Sequence, residues 1–276
     1  MQDIVRTFLH RPAGAVGLVL LGLVCLMAVV APFVYPGSPW DMSGIPFSRP
    51  GENGMLLGTD TLGRDIAAGI VHGARVSILI GLASTLTALC IGVLLGCISG
   101  YAGGAVDAVI VRFTEIFQTI PSFVLAILLV AILTPSIGTI ILAIGLVSWP
   151  PLSRLTRAQV CSVAQREFVQ AARCQGQSTL SVVVRHVLPN AISPIIVAGS
   201  LTVAAAILIE AGLSFMGLGD PNFMSWGYMI GAGRTVIRQA WWMSVFPGIA
   251  ILLTVVAINL VGEALNDALN PRISRA

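Results

Sequence analysis

The residues able to do chemistry are few, and they are poorly placed for doing it alone. All 15 basic residues are arginine, and lysine is absent. A P-loop needs Gly-Lys-Ser/Thr to hold nucleotide phosphates, so this chain does not bind ATP in that manner. The three histidines, His10, His72 and His186, are far apart in sequence and suggest no metal site. The cysteines are Cys25, Cys90, Cys97, Cys161 and Cys174, and none forms a C-x-x-C pair. The first three lie in apolar runs, where a small buried hydrophobe accounts for them better than a disulfide or a metal ligand. No Ser-His-Asp set or paired carboxylate presents itself for catalysis. Proton-coupled carriers need ionisable groups within their spans. Here only Glu210 lies in such a run, at its outer end, where a helix cap or a structural ion pair explains it. A chain with no visible energy source invites the idea that another subunit supplies the energy.

The elements that must hold these residues are membrane helices. The chain is 56% hydrophobic and 10% charged, where a soluble domain would carry roughly a quarter charged residues. A water-soluble core cannot absorb this, so the bilayer is the expected solvent. Uncharged runs cover 12–40, 76–106, 116–153, 186–209 and 239–262. As one helix, 116–153 would run about 57 Å, too long for a bilayer. "TPSIG" (134–138) breaks it with a proline and a glycine. The expected fold is therefore all-α and polytopic, with six transmembrane helices and the first over 14–35. That first run is too long for a signal-peptide core and reads as retained. In the second span Gly92 and Gly96 stand four apart, a small face for close helix packing.

Six spans place both ends on one side, and arginine decides which. With both ends inside, the cytoplasmic pieces are the tail 1–13, the turn near 101–112, the block 152–190 and the tail 267–276. They hold ten arginines, against five in the external pieces 36–75 and 214–243. The expectation is N-in and C-in, with 76–266 as the core of five further spans. Each external piece is long enough to carry a short helix or to touch an external partner.

One polar block interrupts the apolar second half: "EFVQAARCQGQSTLSVVVRHVLPN", 167–190. Phe168, Ala171, Ala172 and Gln175 fall at i, i+3, i+4 and i+7, a small and shallow face. Gly176 is placed to end that helix and Ser178 to cap the next. Leu180, Val183, Val184 and Val187 repeat the spacing as an apolar stripe, and Pro189 is expected to stop it. Two short helices with apolar stripes need something to pack on: either the rest of the bundle or a cleft in a cytoplasmic partner.

The block resembles the "EAA" loop of ABC importer permeases: E-A-A, three residues, Gly, nine residues, I-x-L-P. The match here is Gln170-Ala171-Ala172, Gly176 and His186-Val187-Leu188-Pro189, with the spacing intact. Gln170 stands for the motif glutamate and His186 for isoleucine. Further stretches are similar to the C-type permease subunit of the peptide/nickel branch. They are "LGTDTLGRD" (57–65), "GARVS" (73–77), "GYAGGAVD" (100–107), "EAGLSFMGLGDP" (210–221), "SWGYM" (225–229) and "NLVGEALNDALNPR" (259–272). They occur in the family's order across nearly the whole chain beyond the first span. Asn270 departs from the aspartate usual before Pro-Arg.

The resemblance implies a type I ABC importer permease fold in a bacterial or archaeal cytoplasmic membrane. It implies a non-catalytic subunit forming half of a pathway for peptides or related small solutes, nickel or metal chelates included. It further implies that this subunit binds no cofactor and that ATP and Mg sit on two cytoplasmic ATPase subunits. The other implied partners are a second homologous permease, an extracytoplasmic substrate-binding protein and the lipid bilayer, with no nucleic acid. Glu167, Gln170, Ala171, Ala172, Gly176, Leu188 and Pro189 would couple to the ATPases. Gly58, Asp60, Gly63, Arg64 and Asp65 form the family's loop motif; Asp60, Arg64 and Asp65 also read as a loop ion-pair and cap network. Asp220, Trp226, Arg234, Trp241 and Trp242 are candidate contacts for the binding protein. Met216, Met224 and Met229 share that external loop, where core packing explains methionine better than a metal path. A self-sufficient carrier should show charged mid-span sites, and a membrane enzyme should show His, Asp or Ser clustered at one depth. Neither is visible in the sequence.

Overall fold

The computed structural model describes residues 11–269. His10, Asn270, Arg272 and the outer parts of both expected tails lie outside the described residues. Nine helices of eight residues or more occur among those described: α1 Pro12–Val34, α2 Ile66–Ala102, α3 Gly104–Phe117, α4 Ser122–Leu133, α5 Ile137–Ala164, α6 Glu167–Cys174, α7 Thr179–Phe215, α8 Trp226–Gly233 and α9 Trp242–Leu269. Five of them (α1, α2, α5, α7 and α9) are long and apolar enough to cross a membrane, and α3 with α4 makes a sixth crossing. Arg11 meets Asp267 at 2.9 Å. The start of α1 and the end of α9 therefore lie together, as an even number of crossings requires.

The bundle is built on glycine contacts. α2 lies along α5 through Gly92, Gly96 and Gly100. A Cβ on Gly96 would stand 2.6 Å from the Ser153 carbonyl oxygen, and one on Gly100 2.7 Å from that of Arg157. Such closeness lets dispersion act between backbones where lipid offers no hydrophobic drive. α1 approaches α9 in the same way, with Gly17 against Leu260. The inner core gathers Ile80, Val130, Ile140, Ile144 and Leu213 from α2, α4, α5 and α7.

Four boundaries differ from the sequence expectation. α2 starts at Ile66, not 76, because Asp65 caps it by accepting from the Ala67 N–H at 2.8 Å. Arg75 therefore lies on a helix, and the loop expected over 36–75 ends ten residues early. α5 runs on through Pro150 and Pro151 to Ala164, so the first third of the expected cytoplasmic block belongs to a span. The third crossing is broken: α3 and α4 bend by 78° where Pro121 denies its neighbour helical backbone. Lastly, Pro189 stops nothing. A π turn over Val183–Val187 shifts the hydrogen-bond register, with Leu188 N–H bonding the Val183 carbonyl, and α7 continues through Pro189 and Pro194.

Candidate functional site

The polar block 167–190 folds as a helical hairpin, α6 turning into the start of α7. Gly176 makes the turn with φ +77, and a Cβ there would meet nothing within 4 Å. Its conformation, not crowding, is what asks for glycine. Gly176 N–H bonds the Arg173 carbonyl and Gln177 N–H that of Ala172, closing the last turn of α6 as a Schellman pair. Ser178 caps α7, accepting from the Ser181 N–H.

Both alternatives for its apolar faces hold, on different residues. Val169, Ala172, Val182 and Val187 are buried against Val160, Val163 and Ala191, which anchors the hairpin to α5 and the trunk of α7. Phe168, Ala171 and Gln175 are exposed, as are Leu180 and Val184. The inward face of α6 is thus Val169 with Ala172, and of the spaced set Phe168, Ala171, Ala172 and Gln175 only Ala172 packs inward. Leu180 is 75% exposed and Val184 52%, so that part of the stripe lacks a cover within the chain, while Val187 is buried.

The two departures from the motif have local partners. Gln170 donates its amide to the Ala164 carbonyl at 3.1 Å, closing the end of α5; an ionised glutamate could not donate that bond. The His186 ring meets the Gln177 side chain at 2.9 Å, and Asn190 donates to the His186 carbonyl. Arg173 stacks 4.6 Å from the Tyr101 ring centre and donates to its hydroxyl at 3.1 Å, bracing the hairpin on the end of α2. Beside it, Arg157 of α5 forks onto Asp107 with contacts of 2.5 and 2.6 Å, and Ser99 donates to the same carboxylate. Asp107 and Arg157 were not singled out from sequence; the signal was a carboxylate three residues after the "GG" turn that opens α3. Arg157→Ala is expected to lower stability by about 1–2 kcal/mol, the value of a charged fork that is partly in water. Thermal unfolding in detergent checks this, with Arg157→Lys falling between the two.

At the opposite end the two long loops fold over the bundle. Gly58 (φ +82) and Gly63 (φ +80) turn the first loop, and a Cβ at Gly58 would stand 2.6 Å from the Ser48 carbonyl oxygen. Asp60 accepts from the Leu62 and Arg64 N–H groups, and Arg64 lies 4.7 Å over the Trp40 ring. In the second loop Trp226 is fully buried and donates to the Ile70 carbonyl, while Trp242 donates to that of Thr59, both at 2.9 Å. Asp220 is buried and accepts from the Ile137 N–H at the start of α5. These three hold the loops from inside, so of the five candidate contacts only Arg234 and Trp241 present surface. Met224 and Met229 are core, and Met216 is exposed.

Glu210 is neither cap nor ion pair. It is 1% exposed, and one carboxyl oxygen accepts from the Ser214 and Ser225 hydroxyls, each at 2.7 Å. It ties the C-terminal end of α7 to the first residue before α8.

A spanning bundle with a hairpin docked on one face and folded loops on the other has counterparts among known proteins. Residues 92–275 match the family described as binding-protein-dependent transport system inner membrane component. The chain belongs to that family. Residues 1–48 of this permease also match the N-terminal transmembrane domain of oligopeptide transport permease C. It is 39% identical to the di/tripeptide transport system permease protein DppC of Pseudomonas aeruginosa, covering 100% of this chain and 93% of the relative. It is 37% identical to the dipeptide transport system permease protein DppC of Bacillus subtilis, covering 99% and 86%. To the oligopeptide transport system permease protein OppC of Haemophilus influenzae it is 35% identical, covering 98% and 88%. In structure it is similar to the MetNI methionine ABC transporter in inward-facing form, with TM-score 0.62, 16% identity and coverage of 73% of this chain and 96% of that one. An amino acid ABC transporter solved with histidines gives TM-score 0.57 at 13% identity, covering 73% and 94%. The permease is thus a multi-pass inner-membrane subunit of a binding-protein-dependent ABC importer, whose ATPase and substrate-binding functions lie in partner proteins.

Proposed function

We propose that this permease forms one half of the translocation pathway of a di- or oligopeptide importer and receives the force of ATP binding through its α6 hairpin. The carrying observation is the division of that hairpin into an anchored face and an open one. Val169 and Ala172 fix α6 to the bundle, while Phe168, Ala171 and Gln175 face outward. An ATPase cleft closing on that outward face would move the hairpin as a rigid body. The buried anchor and the Arg157–Asp107 fork would pass the motion to α5, α2 and α3, biasing two states of the bundle. A second homologous permease completes the pathway, and two ATPase subunits hold ATP and Mg. Peptide is favoured over nickel as cargo by the names of the full-length relatives.

The test is purification of the intact importer and of its cognate binding protein, with mass spectrometry of what the binding protein holds. Two ATPase subunits, a second permease and bound di- or tripeptides are the expected findings. A binding protein loaded with a metal chelate and no peptide would remove the peptide reading. A complex without an ATPase would remove the coupling reading.

A further inference from the structure

The break in the third crossing opens a cavity of about 360 Å³. Its wall draws on Gln118, Pro121 and Ser122 from the break, Ser148 from α5, and Thr202 and Ala205 from α7. Ser148 lies about 17 Å from the outer end of α5 and Thr202 about 20 Å from that of α7, at 1.5 Å per residue. With a hydrocarbon core about 30 Å thick, both sit near mid-depth.

Several polar groups at this depth are unmatched. The Gln118 side-chain oxygen is buried with no hydrogen-bond partner. Pro121 gives α4 no side-chain cap, and the first helical bond across the break is Leu125 N–H to the Pro121 carbonyl. The N–H groups of Ser122, Phe123 and Val124 are thus left without helical partners. Pro150 and Pro151 remove two donors from α5, leaving the Leu146 and Val147 carbonyls without theirs. Thr119, Ile120, Pro121 and Ser122 are exposed on the chain's own surface. Irregular backbone at membrane depth is tolerated only where protein covers it or water fills a cavity, because lipid cannot satisfy it. The wall carries no charged side chain. Among the described residues no group of three His, Cys, Asp or Glu side chains could hold a metal ion.

We propose that this cavity is a mid-membrane station on the solute path, which recognises passing peptides by their main-chain amides through Gln118 and the unpaired backbone of the break. The proposal rests on the peptide-importer reading and adds where and how the cargo is held. Unpaired donors and acceptors side by side suit a group offering both, which is what a peptide bond offers. Neutral hydroxyls and aliphatic walls leave side-chain charge unselected, so cargo of varied sequence can pass.

The test uses the whole importer in proteoliposomes with radiolabelled dialanine and the loaded binding protein. Ala205→Trp fills the cavity from an exposed position. It is expected to lower dialanine uptake at least about tenfold while binding-protein-stimulated ATP hydrolysis stays within about twofold. Gln118→Leu keeps the side-chain volume, so it tests the polar contact even if the tryptophan disturbs assembly. It should cut uptake roughly fivefold, with Gln118→Asn recovering part of it. Uptake at the parental rate by either Ala205→Trp or Gln118→Leu overturns the proposal and leaves the importer reading standing. A parent complex that carries a metal chelate and no dialanine overturns both.

Discussion

An aspartate in place of Phe168 or Ala171 is expected to stop ATP-driven uptake by the assembled importer while leaving insertion and thermal stability unchanged. Both positions lie on the outward face of α6, so neither side chain is needed to hold the hairpin on the bundle. Phe168 and Ala171 form an apolar, shallow patch on that face, and an ATPase cleft shaped for the patch would have to bury a carboxylate. Losing one central contact of an interface costs about 2 kcal/mol, roughly thirtyfold in association. The control lies one residue away. Ala172 is 4% exposed and packs inward, so Ala172→Asp would bury charge in the anchor itself. That variant should lower stability and expose the hairpin to protease, which the outward variants should not do. Equal loss of stability in all three would mean that the outward face is structural.

Gly96→Leu is expected to have the largest effect on the fold. The contact it disturbs is α2 on α5, where a Cβ at position 96 would stand 2.6 Å from both the Ser153 carbonyl oxygen and the Thr156 Cβ. Backbone cannot swing aside as a side chain can, so the two helices must part. Overpacking of this kind costs about 3 kcal/mol, and Gly92 and Gly100 on the same face would lose contact too. The measurement is the yield of monodisperse protein and its unfolding temperature in detergent. Gly22, whose Cβ would meet nothing within 4 Å, is the matched position at which leucine should be tolerated. An unchanged unfolding temperature for Gly96→Leu would show that α2 and α5 do not pack through this face.

Much of the architecture was legible because it rests on two simple quantities, apolar length and charge. The crossings follow from them, and the break at 134–136 and the glycine face of α2 follow from where proline and glycine stand. What the sequence hid was backbone bookkeeping. Counting charges started the second span at 76, yet Asp65 before "IAAGI" was a readable cap that extends it to Ile66. Proline misled in both directions. Pro189 was expected to end a helix that a π turn carries through, whereas Pro121 bends the third crossing and received no weight. For the polar block the sequence left open what its apolar faces pack on. Spacing alone identifies a stripe, but whether Val169 or Phe168 points inward depends on how α6 meets α5. The tryptophans show the same limit: Trp226 and Trp242 read as surface contacts because they lie in a segment expected to be external, and they are pegs whose indoles reach out of it to the Ile70 carbonyl of α2 and the Thr59 carbonyl of the first loop.

The central claim is that α6 is the part of this permease an ATPase grips. The most direct measurement places a photo-reactive side chain at position 171 or 172 in the intact importer and identifies the covalent adducts after illumination. Position 171 should cross-link to an ATPase subunit, and more strongly with ATP bound than without nucleotide, while position 172 should react within the permease itself. Adducts from position 171 to lipid or to the same chain only, unchanged by ATP, would contradict the claim.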